Sequence, residues 1–243
     1  MFLNTILDIV FPAKCILCGK NGADLCFHCL SASPAAERES AKWIFPIYDY
    51  RHPTIKKSLW LLKYSGKKRL ASVFAEIVYE KILEELSDLS VLENFTEPVL
   101  IPIPLSGKRY HERGFNQAEL ICEEIVRISK RNHLTSSPSP KTFFGEGCPE
   151  FIEGRGEVFT LLNNVLIKPK DTEHQARIRD RRERLKNIVG SFAIKNNEQA
   201  KLLKNRNIIL IDDITTTGAT LAEARKVLRQ SGARKIIAFT VAH

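Results

Sequence analysis

No stretch of this chain approaches the roughly 20 consecutive apolar residues that a membrane-spanning helix requires. The apolar opening, Met1 to Phe11, has no basic flank, carries Asp8 inside it and leads to no small-residue cleavage site, so it does not read as a secretory signal. Phe2, Ile6, Ile9 and Val10 instead fit one face of a short amphipathic helix. Cysteine is sparse outside one cluster. Four of the six lie between positions 15 and 29, which excludes the dispersed framework of a disulfide-stapled secreted domain. Acidic residues are in the minority, 28 against 37 Lys and Arg, for a net charge of +9. These absences predict a cytoplasmic protein with no membrane span.

What is present suffices for a folded core, since 44% of the 243 residues are hydrophobic and wholesale disorder is excluded. The length suits one medium domain plus a small module. The expected division is a short helix, cysteine module and linker over 1–42, followed by a main domain over 43–243. The positive charge favours acidic partners such as nucleic acid or phosphorylated ligands. A soluble basic protein with no polyanion partner fits the charge equally well.

The cysteine cluster is two C-x-x-C pairs, Cys15 with Cys18 and Cys26 with Cys29, linked through Gly19 and Gly22. Two-residue gaps let both thiolates of a pair reach one ion, and a segment this short builds no core of its own. A structural Zn²⁺ would supply folding energy on the order of 10–16 kcal/mol. Reduced or redox-active thiols are the alternative. His28 is placed beside the site rather than in it. Cys122, within a helical pattern, reads as core, and Cys148 as a loop thiol.

The strongest signal is Ile208–Leu221. Four apolar residues run into Asp212 and Asp213, a turn of Thr215, Thr216, Thr217 and Gly218 follows, and from Leu221 the pattern is helical. A strand apolar on both faces, then a tight turn and a helix, is half of a βαβ unit, so an α/β fold with a parallel sheet flanked by helices is expected. Ligands of such sheets sit at the carboxyl ends of the strands. Backbone N–H groups and hydroxyls at a helix start seat a phosphate. The carboxylates suit the hydroxyls of the attached sugar, or Mg²⁺. The spacing of Thr220 and Glu223 also fits a capping box.

A second strand end, around Pro98–Pro104, leads into a basic loop with Lys108, Arg109, His111 and Arg113, and then into a helix from Gln117 to about Arg131. Cations ahead of a helix start fit a pyrophosphate. Further helices are expected from Thr54, as a cap, to Leu62 and from Leu70 to Leu86. Strands are expected at Trp43–Tyr50, Val165–Lys168 and Lys235–Ala242. Lys63–Arg69 reads as a basic loop that touches polyphosphate or nucleic acid, or as a solvated turn. Trp60, Tyr64 and Phe192 are candidates for base stacking, against buried packing for each. Residues 135–156, rich in Pro, Gly and Ser, read as a surface-loop insertion, with a lid over the ligand as the alternative.

The acid pair with its Thr/Gly loop resembles the signature of type I phosphoribosyltransferase folds, which bind phosphoribosyl pyrophosphate (PRPP). Nearly the full length resembles the ComF family of bacterial competence proteins. The matching pieces are the four cysteines, Lys63-Tyr64-Ser65-Gly66, Ile101-Pro-Ile-Pro104, Arg113-Gly-Phe-Asn-Gln117, Thr172-Glu-His-Gln175, Arg184-Leu-Lys-Asn187 and Phe192. The resemblance implies a role in natural transformation, acting on incoming single-stranded DNA beside a DNA-uptake helicase. It also implies binding of PRPP or a related nucleotide with Mg²⁺. Asp212 and Asp213 match the pair on the ribose hydroxyls; Thr215, Thr216, Thr217, Gly218 and Thr220 match the 5′-phosphate loop. Lys108, Arg109 and Arg113 lie where such folds hold pyrophosphate, or where DNA is contacted. The segment Thr172–Lys186, with Arg177, Arg179, Arg181, Arg182 and Arg184, matches a loop that closes over the site. A DNA-facing surface or a solvated helix with internal ion pairs suits it as well. No added structure follows the last strand to grip a nucleobase, and no residue set for base recognition or proton transfer is visible. An active phosphoribosyltransferase in nucleotide salvage is therefore the second reading, behind a competence factor with a ligand-binding domain.

Overall fold

A computed structural model describes residues 13–37, 41–134, 158–169 and 188–243. The N-terminal helix expected over residues 2–10, the 135–156 insertion with Cys148, and the arginine-rich 172–186 segment lie outside them.

The chain runs α1 (Phe27–Ser31), β1 (Ile44–Tyr48), α2 (Pro53–Tyr64), α3 (Leu70–Glu93), β2 (Val99–Pro102), α4 (Gly107–Arg113) and α5 (Gln117–Leu134). Then come β3 (Thr160–Leu161), β4 (Leu166–Ile167), β5 (Ala193–Ile194), α6 (Asn197–Leu203), β6 (Asn207–Ile214), α7 (Ala219–Gln230) and β7 (Lys235–Ala242). Five strands form a parallel sheet in the order β1-β7-β6-β2-β3, and β4 pairs antiparallel with β5 in a separate two-stranded piece. The fold is α/β, as expected.

The central strands are apolar on both faces because both faces are covered. In β6, Ile209 and Ile211 join one core with Leu100, Phe239, α2, α3 and α5. Ile208 and Leu210 alternate into the other core, with Val99, Ile101, α7, Leu203, Val165 and Phe192. That two-residue period is the pleat of a strand buried on both sides. In α2, Ile55, Leu59 and Leu62 turn inward, and α3 buries Leu70, Phe74, Val78, Ile82 and Leu86 at helical spacing.

Three local readings change. His52, not Thr54, caps α2, because Pro53 is pre-organised for the first helical position and Thr54 is already inside and buried. α3 continues past Leu86 to Glu93 and stops where Asn94 turns left-handed. The basic loop expected after Pro104 is the helix α4, capped at its end by Gly114 at φ 75°.

The order of the sheet places the site. From β2 the chain passes outward to β3, then returns to β6 on the other side of β2. Crossovers therefore diverge between β2 and β6, and the crevice outside their carboxyl ends is the topological switch point at which α/β sheets bind ligands. Pro102 and Asp212–Asp213 stand there.

The cysteine segment is built into this body. Cys15, Leu25 and Leu30 are buried in the same core as β6 and α3. Lys57 Nζ donates to the Ile16 carbonyl at 2.8 Å, and Lys67 Nζ lies 3.5 Å from Asp24 Oδ1. The segment expected as linker also touches β1, with the Ala36 N–H on the Ile47 carbonyl at 2.9 Å.

Phe239 is fully buried in β7 and stacks on Phe45 of β1 at 5.1 Å between ring centroids. Phe239→Ala is expected to cost about 3–5 kcal/mol through lost burial and a residual cavity. Urea unfolding would measure it, and a cost below about 1 kcal/mol would contradict this packing.

Candidate functional site

The site starts with the backbone at the end of β6. Asp213 lies with its flank in the α2–α3 layer, where Lys63 Nζ reaches its Oδ2 at 3.0 Å; both side chains are largely shielded from water. Asp212 accepts the Asp213 N–H at 2.9 Å through its own Oδ1. Burial, and then the charge of Asp213, push the Asp212 carboxyl up to about 7, against the pull of that N–H, Lys63 and Lys168. Two adjacent carboxylates in a poorly solvated place do not ionise together easily.

Beyond the acids, the Thr215 N–H is already bonded to the Ala242 carbonyl at 2.9 Å and the residue is buried, so Thr215 anchors the loop. Thr216 is exposed at its tip. Gly218, at φ 72°, is the N-cap of α7. A side chain there would be strained by that φ and would meet Ile44 Cδ1 at 3.1 Å. The Thr220–Glu223 capping box does not form. α7 begins at Ala219, which puts Thr220 inside the helix, and Glu223 Oε1 accepts the Gly190 N–H at 2.9 Å. At the start of this twelve-residue helix the N-cap Gly218 offers no side chain, and the Thr217 hydroxyl accepts the Ala219 N–H at 3.4 Å.

The cations come from three elements. Arg109 of α4 sits within the field of Asp212 and Asp213; burial and then Arg113 lower its pKa, while Tyr64 and the two acids raise it. Arg113 donates through Nη1 to Gln117 Oε1 at 2.8 Å and through Nη2 to the Tyr64 hydroxyl at 3.4 Å, with its guanidinium 5.2 Å from the Tyr64 ring centre. Lys168, after β4, is near enough to Asp212 to draw its pKa down, and stands over the Phe192 ring at 5.2 Å. Lys108 is exposed at the start of α4.

Arg113-Gly-Phe-Asn-Gln117 now has a physical account. Gly114 turns the chain between the helices. Asn116 caps α5 by accepting the Ala118 N–H at 3.1 Å, and it ties the turn to the exit of β2 by donating to the Ile103 carbonyl at 3.0 Å. Gln117 is 1% exposed, yet its Nε2, like the buried Arg113 Nε, has no hydrogen-bond partner among the described residues. Buried donors left unsatisfied are costly and suit a site that a ligand completes.

The acids and the Thr/Gly turn lie at the strand end where the sequence put them, and the arginines lie on α4 rather than in a loop. Sequence reasoning missed Lys63 as the partner of Asp213, Lys168 as a neighbour of Asp212, and the bracing by Asn116 and Gln117. The only local signal for Lys63 was its place in a run of cations. Of the three stacking candidates, Phe192 is buried, whereas Trp60 and Tyr64 are exposed.

The cysteines form a second centre. Their four sulfurs lie within 4.8 Å of one another, with Cys15 buried and Cys18 exposed. The bridge Lys14–Asn21 and the bonds from the Gly19 N–H to the Cys15 carbonyl and from the Cys15 N–H to the Lys20 carbonyl fold the first pair into a tight knuckle. Cys26 caps α1, which carries Cys29. Burial pushes the Cys15 thiol up, but N–H groups of Cys18, Cys26 and Leu17 outweigh it and bring it to about 6. Burial, then the other three sulfurs and the charge of Cys15, push Cys29 to about 12. A cation is what lets all four ionise at once. His28 is exposed and outside the cluster.

The comparisons agree with the motifs. The chain is 32% identical over 139 residues to Competence protein F of Haemophilus influenzae, matching 56% of this chain and 46% of that protein. It is 30% identical over 200 residues to Competence protein ComFC of Bacillus subtilis, matching 80% of this chain and 62% of that protein. The chain is similar to competence proteins of the ComF type. A more distant relative, DNA utilization protein YhgH of Escherichia coli O157:H7, is 24% identical over 213 residues, 87% of this chain and 74% of its own. The chain thus spans about half to two thirds of the length of the two competence proteins. No protein-family model matches the chain. Among the described residues, no helix is long and apolar enough to cross a membrane.

The Asp212 shift has a pH consequence. The folded chain holds a proton up to about pH 7 that an unfolded aspartic acid releases near about pH 4. Its contribution to stability is present below that lower value and is lost as the pH rises through about 7. Asp212→Asn removes the charge with little change of shape. In metal-free buffer it is expected to raise Tm by about 3–6 °C at pH 8 and hardly at all at pH 4. Thermal melts across that range test it; equal differences at every pH would contradict the assigned repulsion.

Proposed function

We propose that the crevice at the ends of β2 and β6 binds PRPP or a related phosphorylated ribose with Mg²⁺, in a cytoplasmic ComF-family factor that handles single-stranded DNA during natural transformation. The observation that carries the ligand is the adjacency of Asp212–Asp213 to a helix start behind a Thr/Gly turn at the switch point. Asp212 and Asp213 hold the ribose hydroxyls or the metal. Thr216, Thr217, Gly218 and Thr220 receive the 5′-phosphate, with Thr215 fixing the loop from below. Arg109 and Arg113, with Lys108, take the pyrophosphate, and the unsatisfied Gln117 Nε2 and Arg113 Nε support an acceptor-rich ligand there. Mg²⁺ supplies charge neutralisation between the acids and the phosphates. In the free protein Lys63 takes part of that role toward Asp213.

The transformation role rests on what the relatives are called, competence proteins and a DNA utilization protein. A DNA-uptake helicase is the macromolecular partner that this role implies. The four cysteines hold a structural Zn²⁺: sulfurs this close match a tetrahedral thiolate shell, which is closed and leaves no catalytic position. Residues 1–42 then form a metal-stabilised module against the 43–243 domain. The complete acid pair and phosphate loop favour a second reading, an active phosphoribosyltransferase in nucleotide salvage.

Titration calorimetry with Mg²⁺ and PRPP is expected to show binding that Asp213→Asn weakens at least about tenfold; no heat with the intact protein would remove the ligand assignment. Pyrophosphate release with one particular nucleobase, abolished by the same substitution, would establish the transferase reading instead. For the metal, elemental analysis is expected to find about one zinc ion per chain. Cys18→Ser, at an exposed ligand, is expected to lose that ion and lower Tm. A variant that keeps full zinc content would exclude Cys18 as a ligand.

A further inference from the structure

Trp60 and Tyr64 are more than half exposed, at 54% and 53%, where large rings are usually covered. They sit one turn apart on α2, with ring centroids 5.9 Å apart. Neither is needed for the core, which α2 reaches through Ile55, Leu59 and Leu62. The stack continues through the Arg113 guanidinium on the Tyr64 ring. The segment that carries it is cationic, although Arg51, Lys63 and Lys67 pair with Asp49, Asp213 and Asp24. From Arg51 to Ala75 the chain carries seven Lys and Arg and no Asp or Glu. Lys56 is exposed one turn before Trp60, and Lys67 and Lys68 are exposed just beyond Tyr64.

We infer that this face of α2 is a landing platform for single-stranded nucleic acid, in which bases stack on Trp60 and Tyr64 while Lys56 and Lys68 track the phosphates. A duplex hides its base faces, whereas a single strand offers them, and ring stacking tolerates any sequence. A protein partner would also cover two rings, but the exposed Lys56 and Lys68 that flank them favour a polyanion. The inference rests on the proposed DNA role and assigns it a location. It adds that the strand lies at the rim of the crevice, since Lys63, next to Tyr64, holds Asp213.

The test is fluorescence anisotropy of a labelled oligothymidylate of about 20 nucleotides with the full chain, at several salt concentrations. Trp60→Ala is expected to weaken binding about tenfold, with Trp60→Phe restoring most of it, and Trp60→Ala,Tyr64→Ala more than either alone. Circular dichroism and PRPP affinity are expected to be unchanged in Trp60→Ala. Tight binding that the double variant leaves intact would overturn the platform while leaving the DNA role standing. No binding by the intact protein would remove both. Equal losses on duplex and single strand would overturn stacking, and self-association that Trp60→Ala abolishes, without DNA binding, would assign the face to a second copy.

Discussion

Two carboxylates side by side at the end of β6 are the constraint around which this molecule is arranged. Asp212 and Asp213 cannot both be ionised cheaply where the sheet, α2 and β4 shield them from water. Cations from three separate elements therefore converge on them: Lys63 at the end of α2, Arg109 in α4, and Lys168 after β4. A hydrophobic substitution at the pair would relieve the repulsion. Keeping it means accepting a local penalty, as binding sites commonly do.

The cysteine cluster repeats the same physics with a different solution. Four sulfurs are pressed together, Cys15 ionises easily because backbone N–H groups point at it, and burial and the neighbouring sulfurs make Cys29 resist. At the acid pair the protein brings its own cations; at the knuckle the geometry calls for a metal. Because Cys15, Leu25 and Leu30 are part of the main core, the knuckle braces α2, the helix that also carries Lys63. The two charge-crowded centres are thus mechanically joined through one helix.

Much of this was legible in the residues. β6, its turn and α7 were readable because Ile208–Ile211 form the unbroken apolar run of a strand covered on both faces, and Asp212 ends that run. β7 was readable from a similar run, interrupted by the buried Thr240. α4 was not, because seven residues that open with Gly107, include Lys108, Arg109, Glu112 and Arg113 and present no buried face lack the periodicity that betrays a helix. The cap of α7 was misread for a related reason: Thr220 and Glu223 have the right spacing, but the helix start is set by the left-handed Gly218. The pairing of Lys63 with Asp213 crosses 150 positions and leaves no local trace. The exposure of Trp60 and Tyr64 was accessible, since both fall off the stripe formed by Ile55, Leu59 and Leu62, though hydrophobicity alone argued for burial.

The pairing of β1 with β7 imposes an order of events on a chain synthesised from one end. Ile44 finds its partner at Ala238, and the side chain of Ile44 is what abuts Gly218 in the Thr/Gly turn. Thr215, at the other end of that loop, hangs from Ala242. A nascent chain can close its knuckle and wind α2 and α3 early, because those contacts are local. Such long-range strand pairing forms slowly and late. The loop therefore acquires its shape only after β7 has left the ribosome, and a chain synthesised short of β7 can fold in part while this loop stays unformed.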